Sequence, residues 1–416
     1  MSENEPAKLY DSVFVARQPI FTSDMKVWGY ELLFRHGENT QAAVFADGDQ
    51  ATTQVIADGY ALAARGMRKG TKALINFPRN LLVGEAPYVL PPERCVVEIL
   101  ETVRPEDEVM EACRELKKRG YTLALDDFVG DPGFEPLCEA ADIVKVDILG
   151  KKPAEVMEIV KGLRGHKARL LAEKVENLDM FTVCKRLGFT YFQGFFFSRP
   201  EVIPGRKLSA SQAGKIKLLK ELSNSEPDLD RLSEIIQTDL SISYRLLQYI
   251  NSARFGLRGK IESIQRAVSM LGNQNLRQWL QVVLLSDLNS TDKAQELVRI
   301  SVRRGRFLQL LAAAHPAPFG PDSMFLLGFF SVLDAILDQF MAQVLDEISL
   351  DPALKAALTD PKNPDAAWIG LLDLLDRGNW AMLESMAWRM GIPMALVDRA
   401  SAQASEWTDE VMGGAV

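Results

Sequence analysis

Histidine is nearly absent from this chain, with three in 416 residues: His36, His166 and His315. So small a supply argues against a zinc centre built on imidazole. Cysteine is almost as scarce. Cys95, Cys113, Cys138 and Cys184 all lie in the first half, in apolar or helical surroundings, and none falls into CxxC spacing. They read as reduced, partly buried thiols. Positive charge is also in deficit: 48 Lys and Arg stand against 56 Asp and Glu, a formal net charge of -8. Broad nucleic-acid binding through a basic surface is therefore not expected, and an anionic substrate would need a metal or placed Arg and Lys. No clean apolar span of about 20 residues is present. The best candidate, MFLLGFFSVLDAILDQFM, carries Asp334 and Asp338 one turn apart and reads as a core helix. The opening MSENEPAKLYDS has no apolar signal core, so a cytoplasmic protein without a membrane partner is expected.

What is present divides in two. The length suits two domains. Strand-like runs occupy residues 13–20, 27–34, 72–77, 95–100, 121–128, 142–149, 169–175 and 191–197, and helical stretches separate many of them. PEDEVMEACRELKKRG opens with Pro105 and acids and ends in Lys, Arg and Gly, which complements the helix dipole at both ends. Pro153 and Asn177 mark the starts of two further helices. Eight strands with interleaved helices predict a TIM-like α/β barrel. The first two strands are joined only by TSDMK, too short for a crossover, so they should pair antiparallel and make the barrel irregular. SRPEVIPGRKLS closes the strand pattern, giving a barrel domain over 10–203 and an all-α helical bundle over 204–416. Helical periodicity dominates that second part, from SASQAGKIKLLKELSN through the stretches 293–314, 322–347, 366–375, 378–390 and 393–411.

The strand ends carry the chemistry. Glu31, Asn76, Glu98, Asp126, Asp127, Lys145, Asp147, Glu173, Glu176 and Gln193 sit at or just past the ends of short apolar runs. Gathered in one cavity, so many carboxylates would repel each other at neutral pH, and cations or protons must relieve this. Oxygen-rich ligation with an Asn carbonyl suits Mg²⁺, Mn²⁺ or Ca²⁺ better than zinc. Adjacent Asp126 and Asp127 could bridge two ions about 4 Å apart, the arrangement that suits phosphodiester hydrolysis. Lys145 would then orient a water or neutralise a phosphoryl oxygen. Two other readings compete: a glycosidase with paired carboxylates on a TIM barrel, which needs neither seven acids nor an Asn and a Lys, and ordinary strand-end polar residues.

Residues 13–200 resemble the EAL domain family, whose active members hydrolyse cyclic di-GMP. VARQPIFTSDMKVWGYELLFR is similar to the family's opening strand pair, with ELL in place of the EAL that names it. The resemblance implies two divalent ions, Mg²⁺ or Mn²⁺, and a role for each residue. Gln18, Arg35 and Gln193 would meet the dinucleotide. Glu31, Asn76, Glu98 and Asp126 would hold the first metal, and Asp127 the second. Asp147 and Glu176 complete the metal shell, Lys145 and Glu173 handle the water, and Glu101 steadies the loop after Asp127. Two departures stand out. The family's loop DFGTGYSS reads DFVGDPGFEP here, which predicts loss of the family's usual barrel–barrel dimer. The stretch from Glu31 to Asn76 is short, so a helix bordering the groove is trimmed. A hydrolase, a nucleotide receptor and a silent scaffold acting through protein contacts all remain open.

DLSISYRLLQYINSARFGLRGKIESIQRAVSMLGNQNLRQWLQVVLLS resembles the HDOD family, helical relatives of the HD phosphohydrolases. The HD centre needs His and Asp ligands, and His315 is followed by Pro316, so no such centre can be built. This half is expected to be a non-catalytic regulatory module with a protein partner. Within YINSARFGLRGKIESI, Asn251, Ser252, Phe255 and Gly256 could form a recognition loop with Arg254, Arg258 and Lys260. They also fit a plain helix end, with Asn and Ser capping and glycine turning.

Overall fold

The computed structural model describes residues 13–36, 70–198, 240–252 and 261–413, apart from 85, 262, 347 and 349, together with scattered positions in 56–67 and 215–236. Two compact units form. The first is Met1–Phe197 with Leu374–Ser385, and the second is Ser198–Asp373 with Met386–Val416. The expected junction at 203/204 lies outside the described residues, as does most of the trimmed stretch between Glu31 and Asn76.

Eight strands close a barrel in the first unit, in sequence order. They are β1 (Val13–Thr22), β2 (Val27–His36), β3 (Lys72–Phe77), β4 (Cys95–Ile99), β5 (Thr122–Leu125), β6 (Ile143–Asp147), β7 (Arg169–Glu173) and β8 (Tyr191–Gln193). β1 runs antiparallel to β2, as the short TSDMK link requires, and antiparallel to β8 as well. Every other pairing is parallel. The barrel is thus TIM-like with one reversed strand.

Helices cover the parallel strands, and their ends follow the sequence signals. Asp107–Lys118 has acids in its first turn and lysines in its last. In Leu178–Leu187, Asn177 Oδ1 accepts the Met180 N–H at 2.9 Å, and Gly188 takes the left-handed conformation at the other end. All four cysteines are free and buried. Burial pushes Cys95 and Cys184 to about 12, and Cys113 and Cys138 to about 11, so they rest as thiols.

Side-chain alternation divides the barrel interior into layers. Ile20, Leu74, Val96, Ala124, Ile143, Leu171 and Tyr191 form a buried apolar cluster, with Trp28 stacked on Tyr191 at 4.1 Å between ring centroids. Two positions further along the parallel strands come Asn76, Glu98, Asp126, Lys145, Glu173 and Gln193. On the reversed β1, Gln18 lies two positions before Ile20. A period of two puts each of these residues on the same face as its apolar neighbour, so the polar set forms the next layer toward the strands' C-terminal ends.

Two strands end earlier than their apolar runs suggest. β5 stops at Leu125, and Asp127 takes a positive φ of 43°. The run YFQGFFF leaves the sheet at Gly194, whose φ is +140°, and Phe195–Ser198 coils into a 3₁₀ turn. Here the Val175 N–H donates to Gln193 O and the Phe196 N–H donates to Val175 O, both at 3.0 Å. A Cβ on Gly194 would overlap the Val175 backbone, so only glycine lets the loop after β7 lie against β8.

The second unit is helical. Ile264–Ser286 is broken by non-helical backbone at Gly272, where the two sequence runs separate. Asp292–Ala314 packs on Pro321–Phe330 and on Met394–Gly413. The first of these crossings is close because Gly305 and Gly328 meet there: a Cβ on Gly328 would overlap the Arg304 carbonyl. The expected continuous helix over 322–347 is interrupted, first after Phe330 and then at Asp338, which has a φ of 53°. Its aromatic residues Phe325, Phe329 and Phe330 are core. Among the described residues no helix is long and apolar enough to cross a membrane. Asn251 ties a loop shut: its Oδ1 accepts the Ile261 N–H and its Nδ2 donates to Ile261 O, both at 2.7 Å. That supports the helix-end reading of this residue. Phe255, Gly256, Arg254, Arg258 and Lys260 lie outside the described residues. His315 places its two ring nitrogens 2.9 Å from the carbonyls of Pro316 and Gly391, a loop-bridging role.

Two outcomes test this description. Gly194→Ala should cost the full chain roughly 2–4 kcal/mol, because it combines a backbone clash with a strained φ. Chemical denaturation measures this, and an unchanged midpoint would contradict it. Asp334 is largely buried, and that burial pushes its carboxyl up to about 6, against the pull of the Ala335 N–H and of Arg304 and Lys293. Its folded pKa exceeds the unfolded one, so the folded state binds the extra proton between about pH 4 and 6. Its ionisation therefore costs stability at pH 7, on the order of 2–3 kcal/mol, and this is recovered as pH falls through 6 toward 4. Asp334→Asn should be more stable than wild type at pH 7, with the difference gone near pH 4.

Candidate metal centre

Lys145 lies at the heart of the polar layer. It is fully buried on β6, and its Nζ lies 2.8 Å from Asp126 Oδ1, 2.8 Å from Glu173 Oε1 and 3.6 Å from Glu31 Oε2. It also contacts Glu98 Oε1 closely. Burial opposes the charged ammonium, but Asp126, Glu173, Glu31 and Glu98 together hold Lys145 well above the usual lysine range. For Glu98 and Glu173, burial is the larger effect and raises both carboxyls well above the usual range despite Lys145. Asp126 is also buried, yet the charge and hydrogen bond of Lys145 bring it below its ordinary value. One cation among four carboxylates leaves an excess of negative charge that retains protons until another cation arrives.

The amides orient the ring. Gln193 Nε2 donates to Glu31 Oε2 at 2.6 Å and to Gln18 Oε1 at 2.8 Å, and Asn76 Nδ2 donates to Glu31 Oε1 at 3.3 Å. Gln18 Nε2 donates in turn to the Arg377 carbonyl, in the later segment of the same unit, at 2.8 Å. With its nitrogen so engaged, Asn76 keeps its oxygen for the cavity. Asn76 Oδ1, Glu98 Oε2 and Glu173 Oε2 are buried without a hydrogen-bond partner. Buried acceptors are rarely left in that state, and unpartnered oxygens of this kind suit a hard divalent cation or a water bound to it. The residues fit such an ion. Asp126, Asp127 and Glu173 also bring ligand oxygens within 4.8 Å of one another.

The outer rim differs. Asp127 and Asp147 do not meet an empty space: Lys174 Nζ lies 3.2 Å from Asp127 Oδ1 and 2.6 Å from Asp147 Oδ2. Partial burial opposes its charge, but the Asp147 hydrogen bond and the charges of Asp127 and Asp147 hold Lys174 above the usual lysine range. Lys174 also has a φ of 55°, a left-handed conformation that costs a side-chain-bearing residue about 1–2 kcal/mol. Lys174 is not among the strand-end residues singled out by the sequence pattern. Its signal was a lysine placed directly after the strand-end Glu173, in AEKVE.

The remaining expected residues are placed as follows. Arg35 is on β2 opposite Phe14, and its side chain lies outside the described residues. Glu176 is half-buried in the loop between β7 and the next helix. Glu101 is exposed in the turn after β4. Contacts from that turn to DFVGDPGFEP come from Arg104, which pairs with Asp131 at 3.4 Å and lies 4.6 Å over the Phe134 ring. Asp131 Oδ1 accepts the Gly133 N–H at 2.8 Å, and Phe134 is buried. The altered loop is therefore anchored by its own turn and by a cation–π contact.

Comparison with known proteins agrees with this architecture. The EAL domain model matches residues 74–200 and the HDOD domain model matches 214–349. The chain is 34% identical over 403 residues to the cyclic di-GMP phosphodiesterase CdgJ of Vibrio cholerae, covering 96% of this chain and 93% of that protein. It is 36% identical over 378 residues to the uncharacterized protein YuxH of Bacillus subtilis, covering 88% and 91%. Among solved structures, a standalone EAL protein from Vibrio cholerae in its c-di-GMP-bound form shares 26% identity over 46% of this chain and 92% of that one, with a TM-score of 0.37. A barrel with this polar layer, followed by a helical half and matched over nearly its whole length by a relative of the same size, makes the chain a member of the EAL–HDOD family.

Proposed function

We propose that the barrel binds cyclic di-GMP and hydrolyses one of its phosphodiester bonds with the help of divalent cations, Mg²⁺ or Mn²⁺, and that the helical half is a non-catalytic module with a protein partner. The observation that carries this reading is the set of unpartnered buried oxygens, Asn76 Oδ1, Glu98 Oε2 and Glu173 Oε2, around Lys145. The relatedness to CdgJ over both halves supports the choice of substrate.

In this reading Glu31, Asn76, Glu98, Asp126, Asp127, Asp147 and Glu176 supply the ligands. A bound divalent ion lowers the pKa of water and neutralises charge building on the phosphoryl oxygens. The chain does the rest. Lys145 and Glu173 handle the attacking water, with the Glu173 carboxylate, held by Lys145, accepting its proton. The new P–O bond forms as the P–O3′ bond breaks, and the 3′ oxygen leaves to be protonated, giving a linear dinucleotide. Gln18, Arg35 and Gln193 orient the substrate, and Glu101 steadies the loop that follows Asp127.

Incubating the full chain with cyclic di-GMP and Mn²⁺ should yield the linear dinucleotide. Glu31→Ala and Asp126→Ala should each reduce the rate by 100-fold or more, the order of magnitude for losing a group that acts in the transition state. Unchanged rates in both variants would overturn the assignment. If wild type forms no product, calorimetry with cyclic di-GMP and metal decides between the alternatives: heat of binding identifies a receptor, and its absence a scaffold that works through protein contacts.

A further inference from the structure

We propose that Lys174 is a tethered cation standing in the outer ion's place, so that the centre of this protein takes one divalent ion rather than two. This rests on the metal-centre reading above and narrows its ligand set, because Asp147 then serves Lys174 in place of an ion.

The oxygens of the site fall into two classes. The inner ones, on Asn76, Glu98 and Glu173, are buried and include three atoms with no partner. They are arranged to receive a cation that the chain does not supply. The outer ones, on Asp127 and Asp147, are already bridged by an ammonium at 3.2 and 2.6 Å. Asp127 is shared, since it also belongs to the Asp126, Asp127 and Glu173 group that could hold an ion. An outer divalent ion would share Asp127 with Lys174, whose side chain is exposed, and would bring two further positive charges beside that ammonium. Like charges at contact distance disfavour that filling.

The backbone argues for a dedicated residue. Lys174 is held at a φ of 55°, where glycine carries no steric penalty. Asp127, its partner across the strands, is also left-handed, with a φ of 43°. Two side-chain-bearing residues in this region facing each other in an ion pair mark a constrained arrangement at a functional centre.

The test counts ions rather than turnover. The full chain, stripped with EDTA, is titrated with Mn²⁺ and followed by electron paramagnetic resonance and calorimetry. Wild type should bind one Mn²⁺ per chain, with the signal of an isolated ion. Lys174→Gly suits the left-handed backbone and should bind two, with the exchange-coupled signal of a close pair. Its second site should be at least about fivefold tighter than any second binding to wild type, the effect of removing one unit charge at contact distance even in water-like surroundings. Lys174→Arg keeps the charge and should remain at one. Two coupled Mn²⁺ ions in wild type, or one in Lys174→Gly with an unchanged circular dichroism spectrum, would overturn this proposal and leave the metal centre intact. No bound Mn²⁺ in wild type would overturn the metal-centre reading, and this proposal with it.

Discussion

The buried ammonium of Lys145 is the interaction on which the barrel's polar interior depends. Four carboxylates face it, three from strands and one from a loop: Glu31 on β2, Glu98 on β4, Glu173 on β7 and Asp126 just past β5. Without it they would be negative groups crowded in a low-dielectric interior, which is unfavourable by several kcal/mol per uncompensated charge. With it they are held close and still unsatisfied, because one positive charge cannot balance four. Asn76 Oδ1, Glu98 Oε2 and Glu173 Oε2 stay buried without partners in this arrangement. The amide pair Gln193 and Asn76 contributes by fixing Glu31 through hydrogen bonds rather than charge, which leaves the excess negative potential where an ion can use it.

Much of this was legible in the sequence because it follows from period-two alternation. Residues such as Glu98 and Lys145 follow apolar neighbours two positions earlier, and that spacing places them on the interior face regardless of tertiary detail. The antiparallel start was equally plain, since a five-residue link between strands leaves no other choice. Helix ends at Asn177 and Gly188 followed local capping rules. The less legible features are those set by contacts distant in sequence. Lys174 pairs with residues 47 and 27 positions away, and no local pattern announces either partner. The end of β8 at Gly194 depends on Val175 passing close by. The grip on the altered loop by Arg104 required knowing that Phe134 turns inward to meet it.

In the helical half, Asn251 and His315, two polar residues open to a functional reading, serve the fold. The amide of Asn251 completes hydrogen bonds that the backbone at Ile261 would otherwise lack. His315 bridges two carbonyls instead of presenting a ligand. Such residues close loops where a helical scaffold has run out of intrahelical partners.

The reversed β1 has a consequence for how the protein comes into being. Its partners are β2, the next strand to be made, and β8, which ends at Gln193. During synthesis at about 5–20 residues per second, the β1–β2 hairpin can form early, but one edge of β1 must wait for β8. That edge is the pairing Ile20–Gln193, Phe21–Phe192 and Thr22–Tyr191. For the interval between, the growing chain holds an open sheet with an unpaired apolar edge, the kind of surface that recruits other chains. Barrel closure is thus a late event of high contact order, and the same event brings Gln193 to Gln18 and Glu31. Gln193 therefore joins the pocket only once β8 has been made, and the Arg377 carbonyl that meets Gln18 comes later still.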